Sequence, residues 1–105
     1  MTGEIEEVTE QLWHAAQERL ACRIILDGEF LPRLVFPYGI CKTSRNQVVL
    51  VCWQEMGFTK AGRTAGYRNL DIREVTEVEI TDDKYVKRDD FNPNDGQYKE
   101  WVFHI

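Results

Sequence analysis

What this 105-residue chain lacks already narrows its chemistry. Its three cysteines, Cys22, Cys41 and Cys52, include no Cys-x-x-Cys pair, and only His14 and His104 supply imidazoles. A zinc site wants four ligands, normally in close pairs. A nucleophilic cysteine wants a low-pKa thiol beside an imidazole. Neither pattern is present, so no metal and no catalytic cysteine is expected at Cys41 or Cys52. An odd number of isolated cysteines fits reduced thiols in a reducing compartment. No apolar run approaches the roughly 18 residues of a membrane span. The opening MTGEIEEVTE is acidic where a signal peptide would be basic and then apolar. A soluble, cytoplasmic protein is the expectation. There is no internal repeat and no low-complexity segment.

Two further motifs fall short. Gly57-Phe58-Thr59-Lys60-Ala61-Gly62-Arg63-Thr64 echoes a phosphate loop, but Arg63 stands where the lysine belongs and a strand follows instead of a helix. It reads as a glycine-rich loop whose N–H groups, with Lys60 and Arg63, can still contact an anion. Asp82-Asp83 and Asp89-Asp90 lie in polar turns without a partner that would raise one pKa. The sequence therefore asks for no enzyme and no cofactor.

What is present is enough for one domain with a modest core. The formal net charge of −5 is unevenly spread. Residues 1–30 carry −5, residues 31–73 carry +5 and residues 74–105 carry −5. A basic centre between acidic ends can steer an anion to one surface of an acidic molecule.

Residues 3–19 have helical periodicity: Ile5, Val8, Leu12, Ala16 and Leu20 form one stripe, Trp13 flanks it, and Glu4, Glu6 and Glu7 favour the N-terminal turn. The period then drops to two. Cys22, Ile24 and Leu26 read as a strand ending at an Asp27-Gly28 hairpin turn. Pro37-Tyr38-Gly39 reads as a break before a short Ile40-Cys41-Lys42 segment, and Thr43 to Asn46 as a turn. Residues 47–54 read as a central strand buried on both faces over part of its length. Residues 68–72 alternate again, and Val75, Val78 and Ile80 mark a last central strand. Residues 81–83 read as a turn, 85–87 as a short strand, 91–96 as a loop, and 98–105 as a segment that docks. The expected fold is mostly β within the α+β class, a small barrel of about five strands with the amphipathic helix packed across it.

Several of these residues together resemble the WYL domain, a bacterial module with an Sm/SH3-like β-barrel. Arg33-Leu34-Val35-Phe36-Pro37-Tyr38 is similar to its Arg-x-x-x-Pro-Tyr element. Val48-Val49-Leu50 falls where its Trp-Tyr-Leu strand would be. Arg68-Asn69-Leu70-Asp71-Ile72-Arg73-Glu74-Val75 resembles its Arg-x-Phe-x-Leu-x-Arg-Ile element. The similarity spans residues 12–80. It implies one domain over 1–105: a helix at 3–19, a barrel at 20–80 and a C-terminal extension at 81–105. It also implies a stand-alone, non-enzymatic binding or regulatory module for an anionic ligand, a nucleotide or single-stranded nucleic acid. Arg33, Tyr38, Arg63 and Arg68 are then the ligand-binding candidates, the arginines for phosphate and Tyr38 for stacking a base. The alternative is a protein-interaction module or homodimer joined through an edge strand or the C-terminal segment.

Overall fold

The structure, a computed structural model, describes residues 2–56 and 65–105. Helix α1 (Thr2–Glu18) precedes β1 (Leu20–Leu26), β2 (Arg33–Thr43), β3 (Val48–Met56), β4 (Gly66–Asp71), a 3-10 helix (Ile72–Glu74), β5 (Val75–Lys84) and β6 (Tyr98–His104). The helix ends where the hydrophobic period changes. Arg19 turns left-handed at φ 57°, and its guanidinium donates to the Ala16 carbonyl at 2.7 Å. That satisfies a carbonyl the helix leaves open.

The strands form one antiparallel sheet in the order β4-β3-β2-β1-β5, with β6 paired to β2 beside that path. The result is a small α+β fold, mostly β, with one N-terminal helix on an open sheet. Among the described residues no ladder joins β4 to β5.

The centre of the sheet is β2, not β3, and the expected break at Pro37-Tyr38-Gly39 lies inside β2. The strand survives its proline because the ladder with β3 is irregular between Pro37 and Gly39. On its other side Pro37 falls between the β1 pairing, which ends at Val35, and the β6 pairing, which begins at Gly39, and an irregular position of this kind tolerates proline. The first part of β2 pairs with β1 and its last part, from Gly39 to Thr43, pairs with β6. β5 ends the sheet path and takes in the expected turn at 81–83, whereas 85–87 is not a strand. Thr81 turns its hydroxyl onto the Ala21 carbonyl at 2.7 Å, which keeps this polar stretch beside β1. The Asp27-Gly28 turn forms, with Gly28 at φ 81° and Glu29 N–H donating to Leu26 at 3.0 Å. β1 and β2 nevertheless pair only from Ile24 and Arg33, leaving Phe30 and Leu31 exposed before Pro32.

Both faces of the central strands are covered. One face holds Cys22, Ile24, Val35, Ile40, Leu50, Cys52 and Leu70 against Leu12 and Ala15 of the helix. The other holds Tyr38, Cys41, Val49 and Val51 against Tyr85 and Phe91 of the C-terminal segment, with Trp101 and Ile105 packed at its edge. β3 is thus buried on both sides, as its apolar run predicts. The bulge makes this possible. Before it Phe36 and Tyr38 face the aromatic side; after it Ile40 faces the helix and Cys41 the aromatics. β6 comes close at Gly39, where an added Cβ would strike the Phe103 carbonyl and lie 2.7 Å from the Trp101 ring.

The helix contributes less than its whole stripe. Leu12, Ala15 and Ala16 are fully buried, but Ile5 is 40% and Trp13 49% exposed. Trp13 lies about 100° around the helix from Leu12, beyond the sector the sheet covers. Leu12→Ala is therefore expected to lower stability by about 2–5 kcal/mol, and Trp13→Ala by under about 1 kcal/mol. Urea unfolding followed by circular dichroism measures both.

Candidate functional site

The first face of the sheet is apolar until the end where β3 gives way to the 57–64 connector. There the inward positions become polar. Val35 pairs with Gln54 and Cys52 with Arg68 across the strands. Alternation then puts Arg33, Cys52, Gln54 and Arg68 on one face. Two of the four candidate ligand residues, Arg33 and Arg68, are thereby brought together. Both guanidinium charges act on the Cys52 thiol.

The two arginines differ in how they are satisfied. Arg33 is buried, and its Nε and Nη2 donate to the two Glu29 carboxylate oxygens at 3.0 and 2.6 Å. Its Nη1 donates to Oε1 of fully buried Gln54 at 3.0 Å. That is a charge-compensated, bidentate ion pair. Glu55, Asp71 and Glu74 form no ion pair with Arg33 among the described residues; Asp71 instead holds Arg73 at 2.9 Å. The Arg73 guanidinium keeps the Asp71 carboxyl down at about 2.

Arg68 has no carboxylate partner among the described residues. Its Nη1 donates at 2.9 Å to the carbonyl of its own neighbour, Tyr67, and its buried Nη2 has no acceptor. The side chain folds back over Gly66, whose φ of 150° and missing Cβ admit the guanidinium; a Cβ there would lie 2.8 Å from Nη1. Arg68 thus lies near the start of β4, beside Gly66.

Tyr38 lies elsewhere. It is fully buried on the opposite face of the sheet, edge-on to Phe91 at 4.8 Å and to Tyr67 at 5.8 Å. Its hydroxyl accepts the Arg88 N–H at 2.8 Å, and burial raises its pKa. It has no exposed ring face on which a base could stack. Alternation along β2 is the physical reason: Tyr38 is an odd number of residues from Arg33 and falls on the other face before the register slips. Around it, Tyr67 donates to Asp90 at 2.6 Å, Asp90 holds Arg88, and Arg88 lies 3.9 Å over the Trp53 ring. That network ties the C-terminal segment to β3 and β4. Arg63, the fourth candidate, lies outside the described residues, as does Lys60.

Glu29 and Gln54 are site residues that sequence reading missed. Gln54 had a usable signal: it continues the inward series Leu50, Cys52 at the end of an apolar strand, where a polar residue needs a buried partner. Glu29 sits four residues before Arg33, but the intervening turn hides that relation from any periodic pattern.

All three cysteines are free and buried. Burial pushes the Cys52 thiol up to about 12, outweighing the attraction of Arg33 and Arg68, and pushes Cys22 up to about 12 as well. Neither is a thiolate near neutral pH. Among the described residues no group of His, Cys, Asp and Glu is placed to hold a metal ion, and no helix is long and apolar enough to cross a membrane. No family model, curated protein or solved structure matches this chain.

Two outcomes are expected. Removing Arg33 leaves the Glu29 carboxylate without its cation, so Arg33→Met should lower stability by about 3 kcal/mol. Removing Arg68 discards an unsatisfied donor, so Arg68→Met should be neutral or stabilising in the same urea titration. The thiols also set a pH dependence. Their native pKa values lie above the ordinary 9.0, so above that pH the unfolded chain releases protons that the native chain keeps. Stability should hold through neutral pH and fall as pH rises between about 9 and 12. Cys52→Ala should flatten that decline, read as the urea midpoint against pH.

Proposed function

We propose that this protein is a non-enzymatic binding module for an anionic ligand, a nucleotide or a short single-stranded nucleic acid, with Arg68 as its principal contact. The observation that carries the reading is the buried Arg68 Nη2 without an acceptor. An orphaned charged donor costs about 1–3 kcal/mol or more, so its retention calls for a physical account, and a bound anion supplies one. Beside it Arg33 is already compensated by Glu29 and serves as a fixed neighbour. The connector between β3 and β4 adds Lys60 and Arg63 to the local sequence.

The strand path β4-β3-β2-β1-β5, with a helix before it and a 3-10 helix between β4 and β5, supports reading the fold as a five-stranded Sm/SH3-like barrel of the WYL type. In that reading the barrel stays open between β4 and β5, β6 is an accessory strand on β2, and the chain works as a regulatory domain inside the cell. Tyr38, in the Arg-x-x-x-Pro-Tyr element, then serves the core instead of the ligand.

The test is titration of a mononucleotide and a short oligothymidylate against wild type and Arg68→Met at two salt concentrations. Losing one charge-assisted phosphate contact should weaken binding roughly ten- to a hundredfold. Oligonucleotide affinity should fall as salt rises. If wild type binds neither ligand, or Arg68→Met binds as well while folded, the assignment fails.

A further inference from the structure

Away from the arginine pair, the sheet ends on a strand with one side unoccupied. β5 is ten residues long, it pairs with β1, and no described strand borders its outer edge. An unpaired edge of that length spans about 33 Å and presents a row of free N–H and C=O groups. Beside it runs a groove of about 770 Å³. Val8, Ile25 and Val78 give it apolar wall, and Glu7, Glu77 and Glu79 line it with carboxylates.

Charge selects the occupant. The cations of the groove are committed: Arg23 pairs with Glu79 at 3.2 Å and Arg73 with Asp71 at 2.9 Å. Glu7 and Glu77 are exposed and have no ion-pair partner among the described residues. Farther along the strand come exposed Asp82 and Asp83. A second copy pairing β5 to β5 would set these acids against one another, and like charges across a ladder repel. We infer that the β5 edge takes a cationic, extended peptide segment of a partner protein as an added strand. Its backbone would pair with β5, its apolar side chains would enter the groove at Val8 and Val78, and its lysines or arginines would meet Glu7 and Glu77. Strand addition of this kind draws affinity from main-chain bonds and specificity from alternate side chains.

The experiment uses the full chain and two synthetic ten-residue peptides, one alternating lysine with valine and the other glutamate with valine. Amide hydrogen exchange, read residue by residue by nuclear magnetic resonance, is compared with and without each peptide. The expected result is new protection of alternate β5 amides by the lysine peptide only, weaker at high salt. Glu77→Gln should reduce its affinity by roughly two- to fivefold without changing the fold. Three results would overturn the inference: no new protection in β5, equal protection by the glutamate peptide, or a self-associated protein whose β5 amides are already protected without peptide.

Discussion

The structure depends on the irregularity at Pro37-Tyr38-Gly39 in the middle of β2. A regular strand shows one set of alternate residues to each side along its whole length. By slipping the register there, β2 puts Val35 and Ile40 on the helix face and Phe36, Tyr38 and Cys41 on the aromatic face. It also bends enough for two strands, β1 and β6, to share its one side in succession. From this follow the double burial of β3 and the docking of the C-terminal segment. The Pro37 carbonyl accepts the Tyr85 hydroxyl and the Tyr38 carbonyl accepts the Ile105 N–H at 2.9 Å, so the irregular residues themselves hold that segment.

The same face that forms the helix-side core turns polar at its end, and there neighbouring arginines take different roles. Arg33 has two carboxylate oxygens and an amide oxygen, which engage all three nitrogens of its planar fork. Arg68 has a single neutral carbonyl. Side-chain type is the same in the two cases; the surroundings decide which one is compensated and which keeps an unsatisfied donor. Cys52 makes the complementary point. Two cations act on its sulfur, yet burial outweighs them and keeps it a thiol, so charge alone does not create a nucleophile.

Much of the fold was legible in local pattern. The helix boundary, the 47–54 run buried on both faces over part of its length, the docking end and the Asp27-Gly28 turn all rest on periodicity or turn chemistry within a few residues. The misses rest on long-range pairing. Pro37 looked like a break because the bulge that accommodates it is set by β3, and residues 81–83 looked like a turn because β1 is what keeps them extended. Arg33 and Arg68 could be named from charge and from their resemblance to a known pattern. That β2 runs unbroken through Pro37, so that alternation carries Tyr38 to the other face, and that Glu29 would occupy Arg33, required the three-dimensional structure.

The central claim is that the Arg68 guanidinium, through its unsatisfied Nη2, meets the anion. Nitrogen-15 resonances of the arginine side chains, followed while a mononucleotide is added to the intact protein, address it directly. The account predicts a saturable shift of the Arg68 guanidinium signals, with those of Arg33 changing little because Glu29 remains bound. Saturation of the protein by nucleotide with the Arg68 signals unmoved, or no saturable change in any arginine, would contradict it.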